Sequence, residues 1–252
     1  MISVLTINKS TIIDAVHDEG KAVPRSQLHK GDCLDIVPRL PDNSIACLLT
    51  DPPYGFDYRS RSHKLPLTKI ANDRHEAIPL WRHSLRLVYS KLAEDGVGLA
   101  FTNWQCYSSM AAVLEDEGYE IKNVLIWEKN AWSRGDLKGN WGYQYEMVMY
   151  FRKRKTSTKL RRLLRGKREG NILKFNKLPT NYMKHPTEKP MELLTYLIKK
   201  TTAPGETVLD MFMGSGSTIV AAERSGRVGI GIELEPIWFE VAQKNLAEAQ
   251  AA

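Results

Sequence analysis

The sequence predicts an α/β fold, and three observations point to it. Short apolar runs alternate with stretches whose apolar residues recur at helical spacing. One such run, S-I-A-C-L-L-T (Ser44–Thr50), ends in two prolines, D-P-P-Y. Near the C-terminus, V-L-D-M-F-M-G-S-G-S-T-I-V-A-A (Val208–Ala222) reads as a strand, a glycine turn and a helix. The chain has 252 residues, enough for one such domain with a sizeable core.

The elements follow in order. Ser44–Thr50 is short and apolar, as a buried strand is. Ala77–Leu92 places Leu80, Trp81, Leu85, Val88 and Leu92 on one helical face. Gly96–Phe101 reads as a strand, Ser108–Glu117 as a helix and Lys122–Trp127 as a strand. Tyr145–Phe151 is another strand, and a basic segment without clear periodicity follows it. Pro190 starts a helix over Met191–Thr201, because proline suits the first helical turn. The last unit is strand Thr207–Asp210, helix Ser217–Ser225, strand Val228–Glu233 and helix Trp238–Ala249.

Composition narrows the function classes. A hydrophobic share of 42% excludes wholesale disorder. No apolar run is long enough to predict a membrane span, and Met1–Ser10 lacks a secretion-signal pattern. Cys33, Cys47 and Cys106 are scattered without metal-ligand spacing, so reduced thiols, a cytoplasmic location and no metal site are expected. The net charge of +7 is unevenly placed. Arg152–Lys177 holds 12 Lys/Arg against one acid, Glu169, a local +11 that leaves the remainder at −4. One basic segment on a mildly acidic body suits a polyanion held at one place, or a solvated loop.

The glycine turn is a candidate cofactor site. Gly214-Ser215-Gly216 lets a ligand approach the backbone, and the following helix start offers free N–H groups. Glu233 ends the next strand, where an acid binds two ribose hydroxyls. The loop lacks both the full G-x-G-x-x-G pattern and the lysine of a phosphate loop, so the ligand is a nucleoside without pyrophosphate. S-adenosylmethionine fits: its ribose on Glu233, its amino-acid tail near Asp210 and the glycine turn.

Asp51-Pro52-Pro53-Tyr54 is the candidate catalytic motif. Two prolines stop the strand's ladder and stiffen the loop. A carboxylate, a carbonyl and an aromatic ring then stand at the carboxyl edge of a sheet, where open α/β sheets bind ligands. An exocyclic amine is a poor nucleophile because its lone pair is delocalised into the ring. Two acceptors, the Asp51 carboxylate and the Pro52 carbonyl, favour a pyramidal nitrogen and free that pair. Tyr54 is placed to stack on a base flipped out of a duplex.

At these residues the chain resembles the amino-methyltransferases of DNA, in the group whose catalytic motif precedes the cofactor motif. The resemblance runs from about Gly31 to Leu246. G-D-C-L-D (Gly31–Asp35) resembles the group's opening and implies that Asp32 lies near the cofactor adenine. H-P-T-E-K-P (His185–Pro190) resembles the block over the cofactor's methionine part and implies roles for Thr187 and Lys189. D-M-F-M-G-S-G-S-T matches the cofactor loop, including Phe212, and G-I-G-I-E its ribose acid. The resemblance implies a Rossmann-like seven-stranded sheet with helices on both faces and a double-stranded DNA substrate. D-P-P-Y favours N6 of adenine over N4 of cytosine. Cytosine C5 chemistry needs a nucleophilic cysteine, typically after proline, and none of the three follows one. A catalytically inactive DNA-binding relative, or an RNA or protein-glutamine methyltransferase, are the alternatives.

This divides the chain into an extension at 1–25, a catalytic half at 26–151, a basic recognition segment at 152–184 and a cofactor half at 185–252. The resemblance turns the basic segment into a DNA-facing arm, with Lys153, Arg154, Lys159, Arg161, Arg162, Arg165 and Arg168 on phosphates. Arg59 and Arg61, in the loop after the catalytic motif, are expected to share recognition. Trp132 and Tyr143 are the aromatics expected near the flipped base, while Trp104, Trp127 and Trp141 are expected in the core. A homodimer and a cognate restriction endonuclease stay open as partners.

Overall fold

Ile45–Thr50 is buried at every position, and it forms β2, a central strand covered on both faces, as parallel sheets require. The computed structural model describes residues 25–55, 71–132, 138–154, 162–177 and 188–251. Its other strands are β1 (Gln27–Lys30), β3 (Leu92–Thr102), β4 (Tyr119–Glu128), β5 (Tyr145–Lys153), β6 (Ile172–Lys174), β7 (Thr207–Asp210) and β8 (Val228–Glu233). They make one sheet in the order β1-β8-β7-β2-β3-β5-β4-β6. Only β5 pairs antiparallel with its neighbours, β3 and β4.

Helices cover both faces. On one, α2 (Ala77–Val88) and α3 (Tyr107–Asp116) bury Trp81, Leu85, Val88, Met110 and Leu114 against Leu48, Ala100, Met149 and Phe151. On the other, α4 (Met191–Thr201) buries Leu193, Leu194, Leu197 and Ile198 against Leu49, Leu99, Val148 and Val208. Beside α4, helix α5 (Ser217–Arg224) packs through Ile219 on Ala242 and Leu246 of α6 (Pro236–Gln250). Each large apolar side chain so buried contributes about 1.5–3 kcal/mol relative to exposure. A one-turn helix, α1 (Cys33–Ile36), follows β1 and is capped by Asp32.

The elements differ from expectation in several places. The helix expected to reach Leu92 stops at Val88, because Leu92 already pairs with Ile45 as the start of β3. β1 has no buried residue, so no apolar pattern announced it. β6 lies inside the basic segment, has one buried residue, Leu173, and is held by parallel pairing to β4. With it the sheet has eight strands, one more than the seven the resemblance implied. Within the one sheet β7 and β8, from the cofactor half, stand between β1 and β2 of the catalytic half.

The basic segment is also placed differently. Lys153 ends β5 at the edge opposite the ends of β2 and β7, is 5% exposed, and pairs with Glu94. Arg154 donates to the carbonyls of Glu115 and Tyr119 at that same edge. Arg162 is clamped between Asp95 and Glu206. These three cations hold the lower rim of the fold, so the expected arm of phosphate-gripping residues does not begin with them. Arg165 and Arg168 are exposed there. Arg59, Arg61, Lys159 and Arg161 lie outside the described residues.

Candidate active site

The ends of β2 and β7 lie side by side, and from there the chain winds outward in opposite directions. Such a reversal opens a crevice at the carboxyl edge of the sheet. A cavity of about 810 Å³ occupies it, lined by residues of both motifs, among them Asp51, Tyr54, Lys189, Asp210, Phe212 and Glu233.

The cofactor end is built by backbone turns. Glu233 accepts from the N–H of Gly214 on one oxygen and from that of Glu235 on the other, each at 2.8 Å. Each oxygen keeps a lone pair. Asp210 accepts from the Thr50 hydroxyl at 2.8 Å and the Phe212 N–H at 3.1 Å. Burial pushes both Glu233 and Asp210 up to about 6. Gly216 is required where it stands: its φ is +81°, and an added Cβ would lie 2.9 Å from Ala242 Cβ. Asp32 spends its side chain on the α1 cap, accepting from Leu34 N–H, and still lines the cavity. Ser215 lines it too, with its carbonyl held by Asn245. Asp32, Asp210, Glu233 and Glu235 line the cavity, and two of its lysines, Lys189 and Lys129, are already paired with Asp51 and Glu146. An anionic phosphate does not fit such a wall; a cationic nucleoside does.

The catalytic end holds a cluster of charges. Asp51 Oδ2 lies 2.6 Å from Lys189 Nζ. Asp51 Oδ1 accepts from the Tyr54 hydroxyl. Lys189 Nζ is also 3.1 Å from Glu146 Oε2, and Glu146 Oε1 is 2.5 Å from Lys129 Nζ. Burial raises the Asp51 pKa and Lys189 holds it back. For Lys189 burial acts against the charge, yet Asp51 and Glu146 outweigh it and raise the pKa. Burial also opposes charge on Glu146, but Lys189 and Lys129 outweigh it and hold its carboxyl below the usual range.

The loop carrying this motif is pinned from outside it. Asp73 Oδ1 accepts the backbone N–H groups of Tyr54, at 2.8 Å, and Gly55, at 2.6 Å. Cys106 donates to the Tyr54 carbonyl. Asp73→Ala is expected to lower kcat by about 100-fold, since small misplacements of a reacting group cost that much. It should also cost about 1–3 kcal/mol of stability through the buried donors left behind. Single-turnover rates and urea unfolding check both.

Sequence reasoning located Asp51, Pro52, Pro53, Tyr54, Asp210, Phe212, Gly214, Ser215 and Glu233, and all line this one cavity. Lys189, expected over the cofactor's methionine part, lines the same cavity and pairs with Asp51. Thr187 lies outside the described residues. Tyr143 lines the cavity beside Trp104 and Tyr145, whereas Trp132 is absent from its wall. Only Trp127 of the three tryptophans expected in the core is buried; Trp104 and Trp141 are 51% and 91% exposed. Glu146, Lys129 and Asp73 were missed. The one signal was Y-E at the head of an apolar strand, an acid where a strand end enters a site.

A model of the N6_N4_Mtase family, described as DNA methylase, matches residues 45–244. The chain belongs to this family of DNA methylases. The Escherichia coli (strain K12) methylase-related protein YubD is 32% identical over 231 residues, covering 90% of this chain and 92% of YubD. The Type II methyltransferase M2.MboI of Moraxella bovis is 26% identical over 88% of this chain and 87% of its own. Among solved structures, an M1.HpyAVI–SAM complex superposes with a TM-score of 0.68 at 24% identity, covering 87% of this chain and 98% of that one. The cytosine-N4-specific PvuII DNA methyltransferase gives 0.67 at 16% identity, over 90% of each chain. These two likenesses establish the Rossmann-like methyltransferase sheet. Within the family the two motifs read from the sequence coincide with the two ends of the cavity.

Proposed function

We propose that this protein transfers a methyl group from S-adenosylmethionine to N6 of adenine in double-stranded DNA, on a base flipped into the cavity. The observation that carries the reading is the half-buried Asp51 carboxylate, one residue beyond Thr50, whose hydroxyl bonds Asp210 of the acidic nucleoside end. Donor and acceptor halves thus share one wall.

The residues fit S-adenosylmethionine. Glu233 has two free lone pairs for the ribose diol, Phe212 and Trp238 offer rings to the adenine, and Asp210 offers a carboxylate to the cationic tail. When bound, the cofactor supplies an electrophilic methyl group on a sulfonium. Asp51 and the Pro52 carbonyl accept the target amine's hydrogens, which leaves the nitrogen lone pair free to attack. Tyr54 stacks on the flipped ring and holds it in line. After transfer the nitrogen carries a positive charge, and its proton passes to water. The cluster around Asp51 then needs no strong base.

D-P-P-Y supports adenine. The N4-cytosine reading has one specific support, the shared fold of the cytosine-N4-specific PvuII enzyme. Arg59 and Arg61, of the loop that follows the motif in the sequence, are the proposed phosphate contacts; Arg165 and Arg168 are exposed at the rim opposite the cavity. Such an activity implies a DNA-associated protein of the prokaryotic cytoplasm. The test incubates the protein with labelled S-adenosylmethionine and unmethylated genomic DNA, then identifies the labelled nucleoside by mass spectrometry. Label in N6-methyldeoxyadenosine is the expected result. Label in N4-methyldeoxycytidine overturns the base assignment, and label only in RNA or protein overturns the substrate.

A further inference from the structure

The two oxygens of Asp51 are occupied by donors of different kinds. Lys189 on Oδ2 is a buried cation, 9% exposed at the side chain. Its ammonium has three hydrogens. One is donated to Asp51 Oδ2 at 2.6 Å, and the nitrogen makes an ion pair with Glu146 Oε2 at 3.1 Å without a directed hydrogen bond. The Phe101 ring covers it at 4.8 Å from the ring centroid. Among the described residues, Asp51 and Glu146 are the carboxylates paired with Lys189. The Tyr54 hydroxyl on Oδ1 is neutral and belongs to the same short loop as Asp51. A neutral amine can replace a neutral hydroxyl there at small cost. Displacing Lys189 would leave Asp51 without its cation, while Glu146 would keep Lys129.

Glu146 fixes that asymmetry. It comes from β5, opposite Trp127 of β4, and its Oε2 lies 3.1 Å from Lys189 Nζ. Its own second oxygen is neutralised by Lys129 at 2.5 Å. The four groups sum to zero charge, so Asp51 stays ionised without leaving surplus charge in the cavity wall.

We propose that Glu146 is a positioning residue for methyl transfer: it holds Lys189 on Asp51 Oδ2, and thereby reserves Oδ1, occupied by the Tyr54 hydroxyl, for the target amine. This rests on the amine-methylation reading above. Glu146 lines the cavity, and the role assigned to it is exerted through Lys189.

The test compares wild type, Glu146→Gln, Lys189→Met and the double variant in steady-state methylation. Glu146→Gln is expected to lower kcat by about 100-fold while KM for S-adenosylmethionine and DNA stays within about threefold. The double variant is expected to be no slower than Lys189→Met, because Glu146 has no route except through Lys189. Wild-type kcat in Glu146→Gln, or losses that multiply in the double variant, overturns the proposal. A second measurement needs no DNA: pH titration of the Lys189 ε-carbon by NMR. Removing the Glu146 charge is expected to let Lys189 lose its proton at lower pH than in wild type. An unchanged titration overturns the clamp. If wild type puts no label into DNA, the substrate reading fails, and this titration still decides the clamp on its own.

Discussion

Replacing Asp51 by alanine is expected to abolish methyl transfer, with kcat lowered on the order of 10³-fold or more, while S-adenosylmethionine still binds. The amine's lone pair is freed only while an acceptor holds its hydrogens, and Asp51 is the charged one of the two acceptors. Its carboxylate is set by the end of β2, by the two prolines and by Asp73 beneath the loop. The cofactor end does not depend on it, since Glu233 and Asp210 are held by backbone groups and Thr50. Alanine also leaves Lys189 with Glu146 alone, so Asp51→Asn, which keeps the shape, is the companion variant. Both are measured by rapid-quench single turnover beside calorimetric cofactor titration. An asparagine variant that keeps more than about a tenth of the wild-type rate would sink the assignment of Asp51 as the acceptor.

Glu233→Ala is expected to weaken S-adenosylmethionine binding by about 100-fold, the loss of two charge-assisted hydrogen bonds net of their replacement by water. The pH dependence has a defined sign. Burial raises the Glu233 pKa to about 6, so the folded protein holds this proton more tightly than the unfolded chain. Its contribution to stability is complete below the ordinary glutamate range and is lost as pH rises through about 6. Asp210, also raised to about 6 by burial, adds in the same direction. Ligand binding runs the other way. Ribose hydroxyls donate to the ionised form, so affinity should climb through about pH 6 and level off above it. Calorimetry between about pH 5 and 8 checks this, and Glu233→Gln should flatten most of the rise. Affinity independent of pH in wild type would show that Glu233 does not bind the ribose as an anion.

The residues legible in the sequence are those whose chemistry is local. Asp51 through Tyr54 and Gly214 through Gly216 announce themselves because a stiff loop or a tight turn needs particular neighbours in the chain. The Asp51–Lys189 pair joins residues 138 positions apart, and Glu146 reaches them from a third element, so no short pattern contains them. The same distance explains the basic segment. Counting charge finds Lys153 and Arg162 but not Glu94, Asp95 and Glu206, which meet them only after folding. Strands at the sheet's two borders were hidden for another reason. β1 and β6 are defined by the hydrogen bonds of one neighbour each, and their side chains carry almost no burial signal.

The adjacency of β2 and β7 has a consequence for how such a site is encoded. The two strands touch by parallel pairing, although more than half of the chain separates them. What counts is that each strand ends at the same edge and that one hydroxyl, on Thr50, bridges to Asp210. β1 and α6, at the two ends of the described fold, pack against each other. Joining those ends and opening the chain ahead of α4 would give a circular permutant that reads cofactor half first, with every wall of the cavity made from the same strands. The order of the motifs along the polypeptide is thus a property of the gene's bookkeeping, and the chemistry is indifferent to it.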